Sequence, residues 1–141
     1  MIKLLSRDHV FEGTTITPLV KTPTNRQLVQ YAGASGDYYE IHYDQAFAQS
    51  AGLEGVIVHG ALKGAFLAEM LSNWAGHPTA LRKLGVQYRG MDIVGKPITC
   101  KGIVTNTFSD NSSYFAECDV WTENERGQRT TVGNAVVNLG T

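Results

Sequence analysis

The densest set of reactive side chains lies in one run, Ser35-Gly36-Asp37-Tyr38-Tyr39-Glu40-Ile41-His42-Tyr43-Asp44. Asp37 and His42 put a carboxylate and an imidazole five residues apart, with a glycine just before the acid. Such a pair can hold one water between two hydrogen-bonding groups. One group takes a proton and the other returns one, which is the equipment for adding or removing water. On spacing alone a turn-capping Asp37 and a packed loop His42 are the commoner arrangement, and both readings stay open. A second feature is Val58-His59-Gly60, at the expected start of a helix. The first N–H groups of a helix are unpaired and partly positive. A glycine there admits a close ligand, such as a carbonyl oxygen that gains negative charge during reaction. A plain helix start would read the same way.

Other chemistries find little support. His9, His42, His59 and His77 lack metal-binding spacing, so no metal is expected. Ser35, Asp37 and His42 lack the strand–elbow–helix context of a nucleophilic serine. No glycine-rich dinucleotide or phosphate loop occurs, so no nucleotide cofactor of those kinds is expected. Lys63 and Glu69 fall in an apolar helix and are expected at a rim or paired, because unpaired burial is costly. Tyr38, Tyr39 and Tyr43 could line a pocket or simply pack.

These residues need a scaffold. The chain has 141 residues, 43% of them hydrophobic and 18% charged, enough for one domain, taken as residues 1–141, with its own core. A net charge of -1 provides no field for a nucleic-acid backbone. Two cysteines, Cys100 and Cys118, make no disulfide framework and read as reduced, half-buried thiols. The N-terminus lacks the apolar run of a leader peptide, and no membrane span is visible, so a cytoplasmic protein is expected.

Pattern divides the chain into a helical first half and a strand-rich second half. Thr14 to Val20 reads as a short strand, at an edge because of Pro18. Thr24 and Gln27 form a capping-box pattern, opening a helix with Leu28, Tyr31, Ala32 and Ser35 on one face. Asp44 can cap a short helix to Ser50, closed by Gly52. The long apolar helix after Gly60 stops at Gly76, and being apolar on most sides it must be surrounded. Leu81–Arg89, Pro97–Asn106, Ser113–Thr122 and Arg129–Leu139 read as strands. Short links between them suggest an antiparallel meander. The expected class is α+β, a sheet of about five antiparallel strands curled around one helix.

The run SGDYYEIHYDQAFAQSAG, followed by GVIVHGALKGAFLAEML, resembles the MaoC-like (R)-specific enoyl-CoA hydratase and dehydratase family. The family pattern is Gly-Asp, two residues ending in Asn, then Pro, an aliphatic residue, His, any residue and Asp. Gly36, Asp37, Ile41, His42 and Asp44 match it, and His59-Gly60 falls where the family's central helix begins. The resemblance implies the hotdog fold and a homodimer, or a heteromer with a related subunit, with the site near the interface. It implies that Asp37 and His42 are the catalytic pair and Gly60 the backbone donor to the thioester oxygen. An acyl-CoA or acyl carrier protein thioester would be the substrate, with no cofactor. Tyr39 and Glu40 replace the family's Asn and Pro, and Ala68 replaces a serine found in many members. With Ser72-Asn73-Trp74-Ala75-Gly76, these departures resemble hydratase subunits acting on mycolate or steroid side chains. An acyl-CoA thioesterase of the same fold, or a non-catalytic partner subunit, is the alternative reading.

Overall fold

A computed structural model describes residues 5–140; residues 1–4, on which the expectation of no leader bears, lie outside it. Helix α1 spans Asn25–Ser35. The Thr24 hydroxyl accepts the Gln27 N–H at 3.2 Å, and Gly36 closes the helix at φ 79°, a left-handed turn that glycine makes without strain. Leu28 and Ala32 are buried and Tyr31 half-buried, while Ser35 is exposed at the last turn rather than on the core face. Helix α2, Gln45–Ser50, starts where the Asp44 carboxylate accepts the Phe47 N–H at 3.0 Å.

The long helix α3, Gly60–Ala75, ends at Gly76, with Pro78 opening a single 3₁₀ turn. Leu62, Phe66, Leu67, Met70, Leu71 and Trp74 are buried in the core. The helix is not wholly enclosed within one chain. Ala61, Ala65, Glu69 and Asn73 form an exposed stripe, one side chain per turn.

Five antiparallel strands curl against α3: β1 Leu19–Lys21, β2 Leu81–Tyr88, β3 Ile98–Asp110, β4 Ser113–Glu123 and β5 Arg129–Asn138. Their order is β1-β3-β4-β5-β2. This is the hotdog arrangement, and the α+β expectation holds. On β3 and β4, residues such as Cys100, Val104, Ala116, Cys118 and Val120 alternate into the core. Both thiols are fully buried rather than half-buried, and burial pushes each up to about 12. They are inert as nucleophiles at neutral pH.

Three expectations need correction. Only β3-β4-β5 is a meander; β2 pairs with β5 and not with β3. The β2–β3 link instead crosses to the start of α3, where Val58 N–H donates to Asp92 O at 2.9 Å and Val94 N–H to Val56 O at 3.1 Å. β3 runs on to Asp110, and the hairpin turns at Asn111 and Ser112, both at positive φ, the twist that suits two-residue hairpins. The first strand is shorter than Thr14–Val20. Thr15 forms one isolated bridge with Ile103, and regular pairing starts only after Pro18, which has no N–H to give. Its edge position is as expected.

Candidate active site

Asp37 follows the left-handed Gly36, so the chain leaves α1 sharply and enters the loop to Asp44. The loop is pinned from within. The Asp37 N–H donates to the Ser35 hydroxyl at 3.2 Å, and the Tyr39 N–H to Asp37 Oδ1 at 3.3 Å, a local turn typical of aspartate. Glu40–His42 then form one 3₁₀ turn that swings the His42 ring inward. The Asp37 side chain stays 51% exposed, while that of His42 is 8% exposed.

His42 Nδ1 lies 2.8 Å from the Ile57 carbonyl. A carbonyl only accepts, so Nδ1 carries the proton and Nε2 of the neutral ring is bare. That nitrogen faces Asp37 Oδ2 at 3.6 Å, too far for a direct hydrogen bond. Two acceptors thus face one gap. A water seated beside it, about 2.8 Å from each acceptor, can donate one hydrogen to each, leaving its lone pairs directed away from both.

Beside them, His59 is fully buried and stacks on His42, with ring centroids 3.8 Å apart and planes 18° from parallel. Its Nε2 lies 3.3 Å from the Asp37 carbonyl, and Tyr31 of α1 packs edge-on at 4.8 Å. Burial first, and then the neighbouring His42, hold the His59 pKa below its ordinary value. This residue's place in the cluster was not legible in the sequence, where His59 stood only as the neighbour of Gly60.

Gly60 is the first residue of α3, so its N–H has no partner within the helix. A Cβ there would meet the Tyr88 ring at 3.1 Å, so a larger residue would require that ring to shift. Asp37, His42 and the start of α3 lie together. Tyr38, Tyr39, Tyr43 and Phe47 stand exposed around them. Tyr39 lies edge-on to His42 at 6.4 Å and to Phe47 at 5.9 Å. Glu40 and Asp44 do not join the pair: Glu40 begins the 3₁₀ turn and Asp44 caps α2.

One atom each of Asp37, His42 and His59 falls within a 4.8 Å cluster, a set of types that could bind a metal. Imidazole lone pairs lie in the ring plane, however. Two near-parallel rings stacked face to face aim theirs side by side and not at a common point, so this arrangement does not fit a metal. The two other ionisable side chains of α3 are paired, as expected. Lys63 is buried against Asp92 at 2.8 Å and donates to the Gly90 carbonyl at 2.9 Å. Glu69 meets Lys21 at 2.9 Å. Among the described residues no helix is long and apolar enough to cross a membrane.

The family model described as "MaoC like domain" matches residues 10–125. Among solved structures, the (R)-hydratase from A. caviae involved in PHA biosynthesis superimposes with a TM-score of 0.83 at 23% identity, covering 92% of this chain and 96% of that one. R-hydratase PhaJ1 from Pseudomonas aeruginosa gives 0.83 at 19% identity, covering 94% and 83%. A chain of the ChsH1-ChsH2 complex from Mycobacterium tuberculosis gives 0.75 at 17% identity, covering 89% and 95%. At these identities the likeness establishes a shared fold.

Proposed function

The chain belongs to the MaoC-like domain family, and on that premise we propose that it is a hydro-lyase adding water reversibly across a trans-2-enoyl thioester to give the (R)-3-hydroxyacyl product. The observation that carries this reading is the 3.6 Å gap between Asp37 Oδ2 and the bare His42 Nε2, beside a helix that opens with an unpaired N–H at Gly60. The (R)-hydratases that share the fold support the choice of reaction.

In this reading the water oxygen attacks C3 of the enoyl group while both its hydrogens are held. One proton passes to the Asp37–His42 pair, and the pair delivers a proton to C2, so both groups end as they began. Electron density displaced from the double bond collects on the thioester oxygen, where the Gly60 N–H meets it. The water and the returned proton come from the same side of the substrate, so the addition is syn, and the enoyl face turned toward the pair sets the (R) configuration at C3.

The active unit is an assembly of at least two chains, as a homodimer or with a related subunit. The exposed aromatics around the site and the outer edge of β2 support this, since an unpaired sheet edge is usually covered. Light scattering should give at least twice the chain mass; a single chain mass at micromolar concentration overturns it.

The activity is tested with trans-2-enoyl groups of increasing size, on coenzyme A and on acyl carrier protein, read as loss of conjugated-thioester absorbance. The expected product is the (R)-alcohol. Thiol release from a saturated acyl-CoA without hydration would replace the proposal with thioester hydrolysis.

A further inference from the structure

The four residues Ile57-Val58-His59-Gly60 touch every part of the site. The Ile57 carbonyl holds His42 Nδ1, and the Ile57 N–H donates to Ile41 O at 3.0 Å. Val58 N–H ties the same segment to Asp92. Gly60 offers its own N–H. Only Asp37 lacks a tether from this segment's backbone, and here the His59 side chain takes over. Asp37 otherwise bonds within its own loop region, to the Ser35 hydroxyl and the Tyr39 N–H. Among the described residues, the bond from His59 is the one hydrogen bond that joins Asp37 to a residue distant in sequence.

We propose that His59 is a positioning residue. Its Nε2–H holds the Asp37 backbone while its ring lies flat on His42, setting both groups relative to the Gly60 N–H next to it in the chain. This rests on the proposed hydration and names a further residue for it.

The choice of side chain supports the assignment. A carbonyl only accepts, so Nε2 must carry the proton and Nδ1 is bare. No described group donates to that buried nitrogen. A phenylalanine would fill the same slot between Tyr31 and His42 with no polar atom to bury. A histidine that buries one nitrogen unpaired is accounted for by the bond that the other nitrogen makes. A neutral His59 also places no positive charge beside His42 that would oppose proton uptake at its Nε2.

Two variants separate the contributions. His59→Phe keeps the stack and loses the donor; His59→Gln keeps a donor of similar reach and loses the ring. His59→Phe should lower kcat by about 10–100-fold with KM changed less than about threefold, since misplacement by about 1 Å can cost about 100-fold. His59→Gln should recover at least about tenfold of that loss. Wild-type kcat in His59→Phe, a rise confined to KM, or no recovery with glutamine would each overturn the role.

A second measurement does not depend on turnover. Nitrogen-15 NMR of the unaltered protein should report His59 as the neutral Nε2–H tautomer at pH 7, and amide exchange at Asp37–Tyr39 should quicken in His59→Phe but not in His59→Gln. A protonated Nδ1, or unchanged exchange, overturns the inference even if no enoyl thioester is hydrated. The expected tautomer and exchange in a protein inactive on every enoyl thioester would instead fault the proposed reaction and leave the tether standing.

Discussion

The loop from Asp37 to Asp44 and the segment from Val56 to Lys63 face each other across the site and are built on opposite principles. The loop is short-range: its bonds run mostly between residues two to five apart, and Asp37, Tyr38 and Tyr39 are exposed. The helix-start segment is long-range: Val56, Ile57, Val58, His59 and Lys63 are buried, and its partners lie at residues 37, 41, 42, 45, 90, 92 and 94. Of the two reacting groups, Asp37 stays open to solvent while His42 is turned inward. Their positions must be reproducible, so their anchors sit in the core. Mutations should therefore fail differently: in the loop, and at His59 which reaches across to it, by loss of rate; at the buried Lys63–Asp92 pair behind the helix start, by loss of fold.

The largest expected effect is on rate. Asp37→Asn keeps the oxygen that accepts the Tyr39 N–H and removes the charge; His42→Gln keeps hydrogen bonding and removes the titratable ring. Each should lower kcat by about 10²–10⁴-fold, and the double variant should be little worse than either. Melting temperatures should barely move. Steady-state kinetics beside thermal melts would break the comparison if either variant kept its rate or unfolded.

The mirror case is Lys63. Lys63→Met leaves the Asp92 carboxylate buried and unpaired, at a cost of about 3–5 kcal/mol of stability. Replacing both, as Lys63→Met with Asp92→Leu, should restore most of that loss, because an ion pair removed whole leaves no uncompensated charge. Urea unfolding of Lys63→Met, Asp92→Leu and the double variant reads the cycle. A single variant as stable as the parent would mean that the pair does not clamp the β2–β3 link.

A smaller effect comes from His59 and appears with pH. The folded pKa of His59 is held below 6.5, so the unfolded chain binds the proton more readily. Its contribution is fully present above about pH 6.5 and declines as pH falls below that value toward the folded pKa. The melting temperature should drop between pH 7.5 and 5.5, and drop less in His59→Gln. An equal drop in both would assign the acid sensitivity elsewhere.

The smallest effect concerns substrate size. Tyr39 stands exposed at the mouth beside Phe47. The expected preference is for acyl groups larger than crotonyl, and Tyr39→Ala should shift kcat/KM toward still bulkier chains by about threefold to tenfold, in the range of a few methylene contacts. A parent enzyme fastest on the shortest chain would show instead that Tyr39 closes the pocket.

Much of the scaffold was legible in advance. Thr24, Asp44 and Gly76 mark helix ends by chemistry local to a few residues, and they sit at those ends. The four later strands were legible from their β-branched and aromatic runs, with ends in error by up to four residues. Strand order was not legible, because the β2–β3 link is long enough to reach either edge and its choice depends on contacts with Val56 and Val58. Within the site, Asp37 and His42 were visible because they share one loop. Their link to His59 was not, because it spans 22 residues in sequence.

The amino-acid sequence by itself determined the α+β class, the turns and caps, and the residue types available for acid–base chemistry, since each depends on spacing within a few residues. Only the tertiary structure decided which nitrogen of His42 is bare, that Asp37 faces it across 3.6 Å, and that a buried lysine ties the β2–β3 link to the helix start. These depend on backbone carbonyls and side chains from distant elements meeting in three dimensions. Neither a carbonyl's direction nor the burial of a side chain is written in residue type.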